Sequence, residues 1–217
     1  MTCAFLFIGP TLAACQTSVD LDNYQLQPPA QRGSITAVVE AHATPGVIIL
    51  VDGAIENSLA VSHRELLLAA QAGWQVWGLA DMGAIRAWEM RDCGIHGFGD
   101  VYQQLQQQSQ LRDDEILWSY CPETPYQRYN EPMIHLAKAL YHLQQQGHLS
   151  VEQNQQVTEQ LQQSWYKHRT IALLIQLVQQ YNPTIDQAAL TVLSADFSGF
   201  QSKQQDFLRF VAEKPWL

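Results

Sequence analysis

Three short apolar runs stand out in the first eighty residues. Ala4 to Ile8 ends at Gly9-Pro10, Gly46-Val47-Ile48-Ile49-Leu50-Val51 stops at Asp52-Gly53, and Gln75-Val76-Trp77-Gly78-Leu79-Ala80 runs into Asp81. Their length, with turn residues at their ends, is that of buried strands rather than helices. Helical spacing takes over at Ser34 to Ala43, Ser62 to Gln71 and Met82 to Arg91. Strands alternating with helices predict βαβ units and a mainly parallel sheet.

From about Glu131 the strand signal stops. Met133 to Gln146 is a helical stretch closed by Gly147, and Ser150-x-x-Gln153 is a capping box for the next. Trp165 to Tyr181 follows, Asn182-Pro183 supplies a cap and a first-turn proline for another helix, and Ser202 to Ala212 completes the series. The glutamine clusters between them have no fixed period and read as wet helix faces, not as a repeat. The expected fold class is therefore α/β: a mainly parallel sheet in the N-terminal half with an α-helical C-terminal half packed on it. Residues 1–125 form the α/β core and 126–217 the helical region of the same compact unit.

Composition narrows the function classes. A chain of 217 residues with 47% hydrophobic content buries roughly 70% of its unfolded surface without needing disulfides. Its 12 Lys and Arg against 21 Asp and Glu give a formal charge of -9, and this leaves no basic face for a phosphate backbone, so nucleic acid is not an expected partner. Cys3, Cys15, Cys93 and Cys121 form neither a CxxC pair nor a zinc spacing, and no metal or cofactor is expected. Leu12-Ala13-Ala14-Cys15 imitates a lipoprotein cleavage site, but no Lys or Arg precedes Arg32 and Gly9-Pro10 interrupts the apolar run. No stretch has the length of a membrane span, and a cytoplasmic chain is expected.

In an open parallel sheet, ligands bind beyond the carboxyl ends of the strands. The polar residues there are Thr11, Asp52 with Gly53, and Asp81 ahead of Met82 and Gly83. The next helices bring His63 and Arg64 in a first turn, and Arg86 and Glu89 one turn apart. Each also has a plainer role. Ser62-x-x-Glu65 is a capping box, Asp81 is a good N-cap, Arg86 and Glu89 pair on a helix surface, and Asp52-Gly53 is a turn. Asp113-Asp114-Glu115 reads as a solvated acidic loop more readily than as a cation site, and Gly94-x-x-Gly97-x-Gly99 as turn glycines.

Several of these segments, in this order, resemble the TfuA-like family. They are Phe7-Ile8-Gly9-Pro10-Thr11-Leu12, Pro28-Pro29-Ala30 with Gly33, Val51-Asp52-Gly53, Ser62-His63-Arg64-Glu65, Ala80 to Ala87, Gly94 to Tyr102 and Asp113-Asp114-Glu115. The C-terminal helices match more loosely, through Arg169-Thr170 and Lys203 to Phe207. The resemblance implies an accessory protein of peptide backbone thioamidation, whose partners are a YcaO-type enzyme and a ubiquitin-like sulfur carrier ending in a thiocarboxylate. It further implies a Ser-Lys pair that hydrolyses the thiocarboxylate, the Ser standing on a strand-to-helix turn like a nucleophile elbow.

At the matching positions this chain carries Asp81 for the Ser and Arg64 for the Lys. Guanidinium stays protonated and accepts no hydroxyl proton. Three readings follow: an accessory protein whose chemistry is weakened or moved, with Thr11 and Lys203 as substitutes; a pseudoenzyme in which Asp81 and Arg64 form a structural ion pair; or a different hydrolase with Asp81 as carboxylate nucleophile or base beside His63.

Overall fold

The computed structural model describes residues 3–15, 18–54, 58–108 and 111–217. Along the chain come β1 (Ala4–Phe7), α1 (Pro10–Ala13), β2 (Tyr24–Gln27), α2 (Ser34–Ala41), β3 (Val47–Leu50), α3 (His63–Gln71), β4 (Gln75–Leu79), α4 (Met82–Glu89), β5 (Ile95–Phe98) and α5 (Asp100–Gln107). Then follow α6 (Asp113–Ile116), α7 (Met133–Gln145), α8 (Val151–Gln163), α9 (Ile171–Tyr181), α10 (Gln187–Ala195) and α11 (Ser202–Glu213). The chain divides into two compact units. The first comprises Met1–Leu111, Cys121–Gln127 and Lys203–Leu217; the second comprises Arg112–Tyr120 and Arg128–Ser202.

The first unit is a five-stranded sheet in the order β2-β1-β3-β4-β5, with every pairing parallel. The three expected strands are its centre. β1 and β3 are buried along their whole length, which is why they read as unbroken apolar runs, while β4 starts at the exposed Gln75 and keeps Trp77 half-buried. The two edges, β2 and β5, were not expected from the sequence: Gln25, Leu26 and His96 are exposed, so neither strand carries a continuous apolar run. Along β1 and β3 alternate residues face opposite sides of the sheet. Leu6, Ile8, Val47, Ile49 and Val51 pack on one side with Phe207, Phe210 and Trp216, so that the last helix covers that face.

Sequence dictates how α11 is seated. Lys203, Asp206, Phe207 and Phe210 recur at helical spacing on one buried face. The Asp206 carboxylate accepts the Asp100 and Val101 N–H groups at 2.8 and 2.9 Å, capping α5 from outside its own segment. Gly99 permits that approach, because a Cβ there would lie 2.3 Å from the Asp206 carboxyl carbon.

The second unit is helical. Its core joins α7, α8, α9 and α10 through Leu140, Leu143, Leu161, Leu174, Leu177 and Leu193. The Ser150-Gln153 capping box forms as expected. The stretch from Trp165 does not: a 3-10 turn spans Tyr166–His168, and α9 starts only where the Thr170 hydroxyl accepts Leu173 N–H at 3.1 Å. Asn182 closes α9 instead of opening α10, whose cap is Asp186.

Candidate functional site

The order β2-β1-β3 places a topological switch point at the carboxyl ends of β1 and β3. Thr11 and Asp52 meet there. Asp52 Oδ2 accepts the Gly9 and Thr11 N–H groups at 2.7 and 3.0 Å, while the Thr11 hydroxyl lies 2.6 Å from Oδ1. Both residues are fully buried. Loss of water, and then the nearby Asp81 carboxylate, push the Asp52 carboxyl up to about 7, against the pull of the Thr11 hydroxyl and the two N–H groups. Gly53 continues the loop, pairing with Ala30 and lying against Met82.

Asp81 stands on a sharp turn between β4 and α4. Ala80 adopts a left-handed conformation at φ 64°, and Asp81 N–H bonds back to Leu79 C=O at 2.9 Å. The helix behind the turn is held against β3 by Gly83, whose N–H donates to Val51 C=O at 3.0 Å and whose missing Cβ would lie 1.8 Å from the Leu50 carbonyl oxygen. Asp81 takes the cap position of α4 but makes no side-chain cap bond. Its Oδ1 meets Lys203 Nζ at 2.5 Å, with both side chains wholly inaccessible.

This pairing replaces the expected Asp81–Arg64 ion pair. Arg64 is exposed on the first turn of α3, and the amine that reaches Asp81 comes from α11. The remaining expected residues gather on the surface. Glu89 accepts His63 Nε2 at 2.8 Å and Arg86 Nη1 at 2.5 Å, and Arg86 Nε donates to Val61 C=O at 3.1 Å. The first unit thus holds two separate groups: a buried one of Thr11, Asp52, Asp81 and Lys203, and a surface one of His63, Arg86 and Glu89. Glu65 is structural, closing the Ser62 capping box and accepting the Gly33 N–H at 2.7 Å.

In the second unit, sequence reasoning missed a buried polar group. His135 Nδ1 lies 2.5 Å from Glu131, and Gln201 reaches the same carboxylate at 3.4 Å. Lys138 Nζ approaches the Ser202 hydroxyl at 3.3 Å. The Glu-x-x-x-His spacing of 131 and 135 was the one available signal. The expected solvated acidic loop is instead the short helix α6, with Glu115 buried, where Arg112 and the buried Arg169 both hold Asp114 and Glu115 accepts Gln162. Among the described residues no group of three or more His, Cys, Asp or Glu is arranged to hold a metal, and no helix is long and apolar enough to cross a membrane.

Chemically, the buried group offers the Asp81 carboxyl on a strand-to-helix turn, the Lys203 amine against it, and a second carboxyl, Asp52, that burial pushes up to about 7. Comparison with known proteins adds one finding. A family model described as TfuA-like protein matches residues 52–170, more than half of the chain and including Asp52, Asp81 and Arg169. No curated protein matches.

Proposed function

Because the chain belongs to the TfuA-like family, we propose that it is a cytoplasmic accessory protein of YcaO-dependent peptide backbone thioamidation. In this reading it engages a YcaO-type enzyme and a ubiquitin-like sulfur carrier ending in a thiocarboxylate, and its own hydrolytic step is suppressed. The Asp81–Lys203 contact carries the second half of the proposal. A Ser-Lys hydrolase needs a neutral amine to take the hydroxyl proton before the oxygen attacks the thiocarboxylate carbon and expels hydrosulfide. Asp81 has no hydroxyl, and the Lys203 amine that would take the proton is engaged by the Asp81 side chain.

The test uses a thiocarboxylated carrier and a YcaO-type enzyme, both purified. Sulfide release by the chain at the uncatalysed rate, together with co-elution of chain and enzyme in gel filtration, is the expected result. Rapid release that Asp81→Asn abolishes, in a variant that circular dichroism shows still folded, would replace this proposal with a second reading, in which Asp81 is a working carboxylate. One feature favours that alternative: burial, and then the neighbouring Asp81, push the Asp52 carboxyl up to about 7, in the range of a general acid or base. Against it, His63, the expected helper, is bonded to Glu89.

A further inference from the structure

The face of the sheet opposite α11 carries a second candidate site, which stands independently of the thioamidation reading. A cleft of about 630 Å³ lies there between β2 and α2, bounded by Arg32 and Ser34 at one end of the helix and by Ala41 and His42 at the other. Phe5 and Phe7 form its floor, because alternation along β1 turns them away from the side on which Leu6 meets Phe207. Val38 and the exposed Ala37 complete an apolar wall.

The polar groups of the cleft are uncommitted. Among the described residues, the Gln25 and Gln27 side-chain amides and the Arg32 guanidinium make no hydrogen bond or ion pair. His42 Nδ1 lies 2.8 Å from the Val38 carbonyl oxygen. A carbonyl only accepts, so Nδ1 carries the proton and the neutral ring keeps its Nε2 lone pair for a donor. Phe5 and Trp74 hold the ring in place, with centroids 4.6 and 6.3 Å away. In a chain of formal charge -9, no carboxylate among the described residues lines the cleft: Glu40 of α2 lies outside its wall, and Glu65 accepts the Gly33 and Ser62 N–H groups. An apolar floor with a few convergent polar groups is the usual form of a ligand site.

Spacing narrows the ligand. Gln25 and Gln27 stand two positions apart on one face of β2, about 6.6 Å, which is also the repeat at which an extended polypeptide presents equivalent peptide groups. β2 leads through Pro28 into α2, so Gln27 lies toward Arg32 and Gln25 toward His42. The eight residues of α2 span about 12 Å, the length of about four extended residues. A guanidinium at one end suits a carboxylate, which it can bind through two N–H groups. We propose that this cleft binds the free C-terminal segment of a polypeptide, about four residues long. Its terminal carboxylate meets Arg32, its main-chain amides meet Gln27 and Gln25, an N–H meets His42 Nε2, and apolar side chains cover Phe5 and Phe7.

The probe is an alanine-leucine-alanine-leucine peptide carrying fluorescein on its N-terminus, titrated against the full chain by anisotropy at about pH 8, where an ordinary histidine is neutral. The same peptide with an amidated C-terminus is the control. Saturable binding of the free acid, at least tenfold tighter than that of the amide, is expected. Arg32→Gln should erase the difference between acid and amide. Ala37→Trp fills the cleft and should weaken binding of the acid at least tenfold. Both altered positions are exposed, so the variants should match the parent chain in circular dichroism. Absence of saturable binding, equal binding of acid and amide, or binding that Ala37→Trp leaves unchanged overturns the proposal. So does displacement of the probe by hexanoate at concentrations no higher than the unlabelled peptide requires, because any small carboxylate would then be the ligand.

Discussion

Lys203 lies 122 positions downstream of Asp81, yet its ammonium meets the Asp81 carboxylate where neither side chain touches water. Attraction between such charges is offset by the loss of their hydration, so the pair is worth little net but much to break. Asp81→Asn, which leaves a buried ammonium without its counter-charge, is expected to destabilise the chain by about 3–5 kcal/mol in urea unfolding. The double change Asp81→Leu with Lys203→Met should recover most of that loss. A double variant no more stable than Asp81→Asn would show that the pair does not act through charge.

Position 81 already faces an amine, so one substitution should restore the missing chemistry. Asp81→Ser places a hydroxyl beside the Lys203 amine and removes the carboxyl group that engages it, the two partners that a Ser-Lys pair requires. Sulfide release from a thiocarboxylated carrier is expected to rise at least tenfold. Adding Arg64→Lys should change nothing, since Arg64 is exposed on α3. A rise that needs Arg64→Lys as well would return that position to the site.

Asp52 makes stability depend on pH in a defined direction. Its folded value of about 7 lies above the ordinary 3.8, so the folded state holds the proton more tightly. Its contribution is complete below about pH 4 and disappears as pH rises through 7, at up to about 1.4 kcal/mol per pH unit. Asp206, raised to about 6 by its burial, acts in the same direction. Asp52→Asn keeps an acceptor for the Gly9 and Thr11 N–H groups and has no proton to lose. Its urea midpoint should therefore gain on the parent chain between pH 4.5 and 7.5, and parallel profiles would refute the assignment.

Close approach of α4 to β3 sets a steric limit. Gly83→Ala places a methyl group 1.8 Å from the Leu50 carbonyl oxygen, where only backbone movement relieves the clash. A loss of more than about 3 kcal/mol is expected. Gly199→Ala meets nothing within 4 Å and should stay within about 0.5 kcal/mol. Similar urea midpoints for the two variants would contradict this packing.

What the sequence revealed follows burial. β1 and β3 were legible because each is buried on both faces, β4 because its last two residues and Val76 are buried, and the capping boxes at Ser62 and Ser150 because their chemistry is local. β2 and β5 were not, since an edge strand needs only one buried face and these are too short to show alternation. The parallel sheet alone leads one to expect the strand ends of Thr11, Asp52 and Asp81 near one another, but without β2 the switch point between β1 and β3 cannot be located. Lys203 was legible only as a candidate: a lysine in a glutamine-rich stretch looks solvated until the phenylalanines at 207 and 210 place it on the inner face.

The seating of α11 also sets a timetable for synthesis. Asp206 reaches its two partners on α5 across 106 and 105 positions, so the sheet is translated long before the helix that covers one of its faces. At about 5–20 residues per second, the ribosome takes roughly 5–20 s to span that interval. Throughout it, the face bearing Leu6, Ile49 and Val51 lacks Phe207 and Phe210. A nascent chain stalled before residue 203 therefore presents an apolar sheet face that α11 covers once it is made.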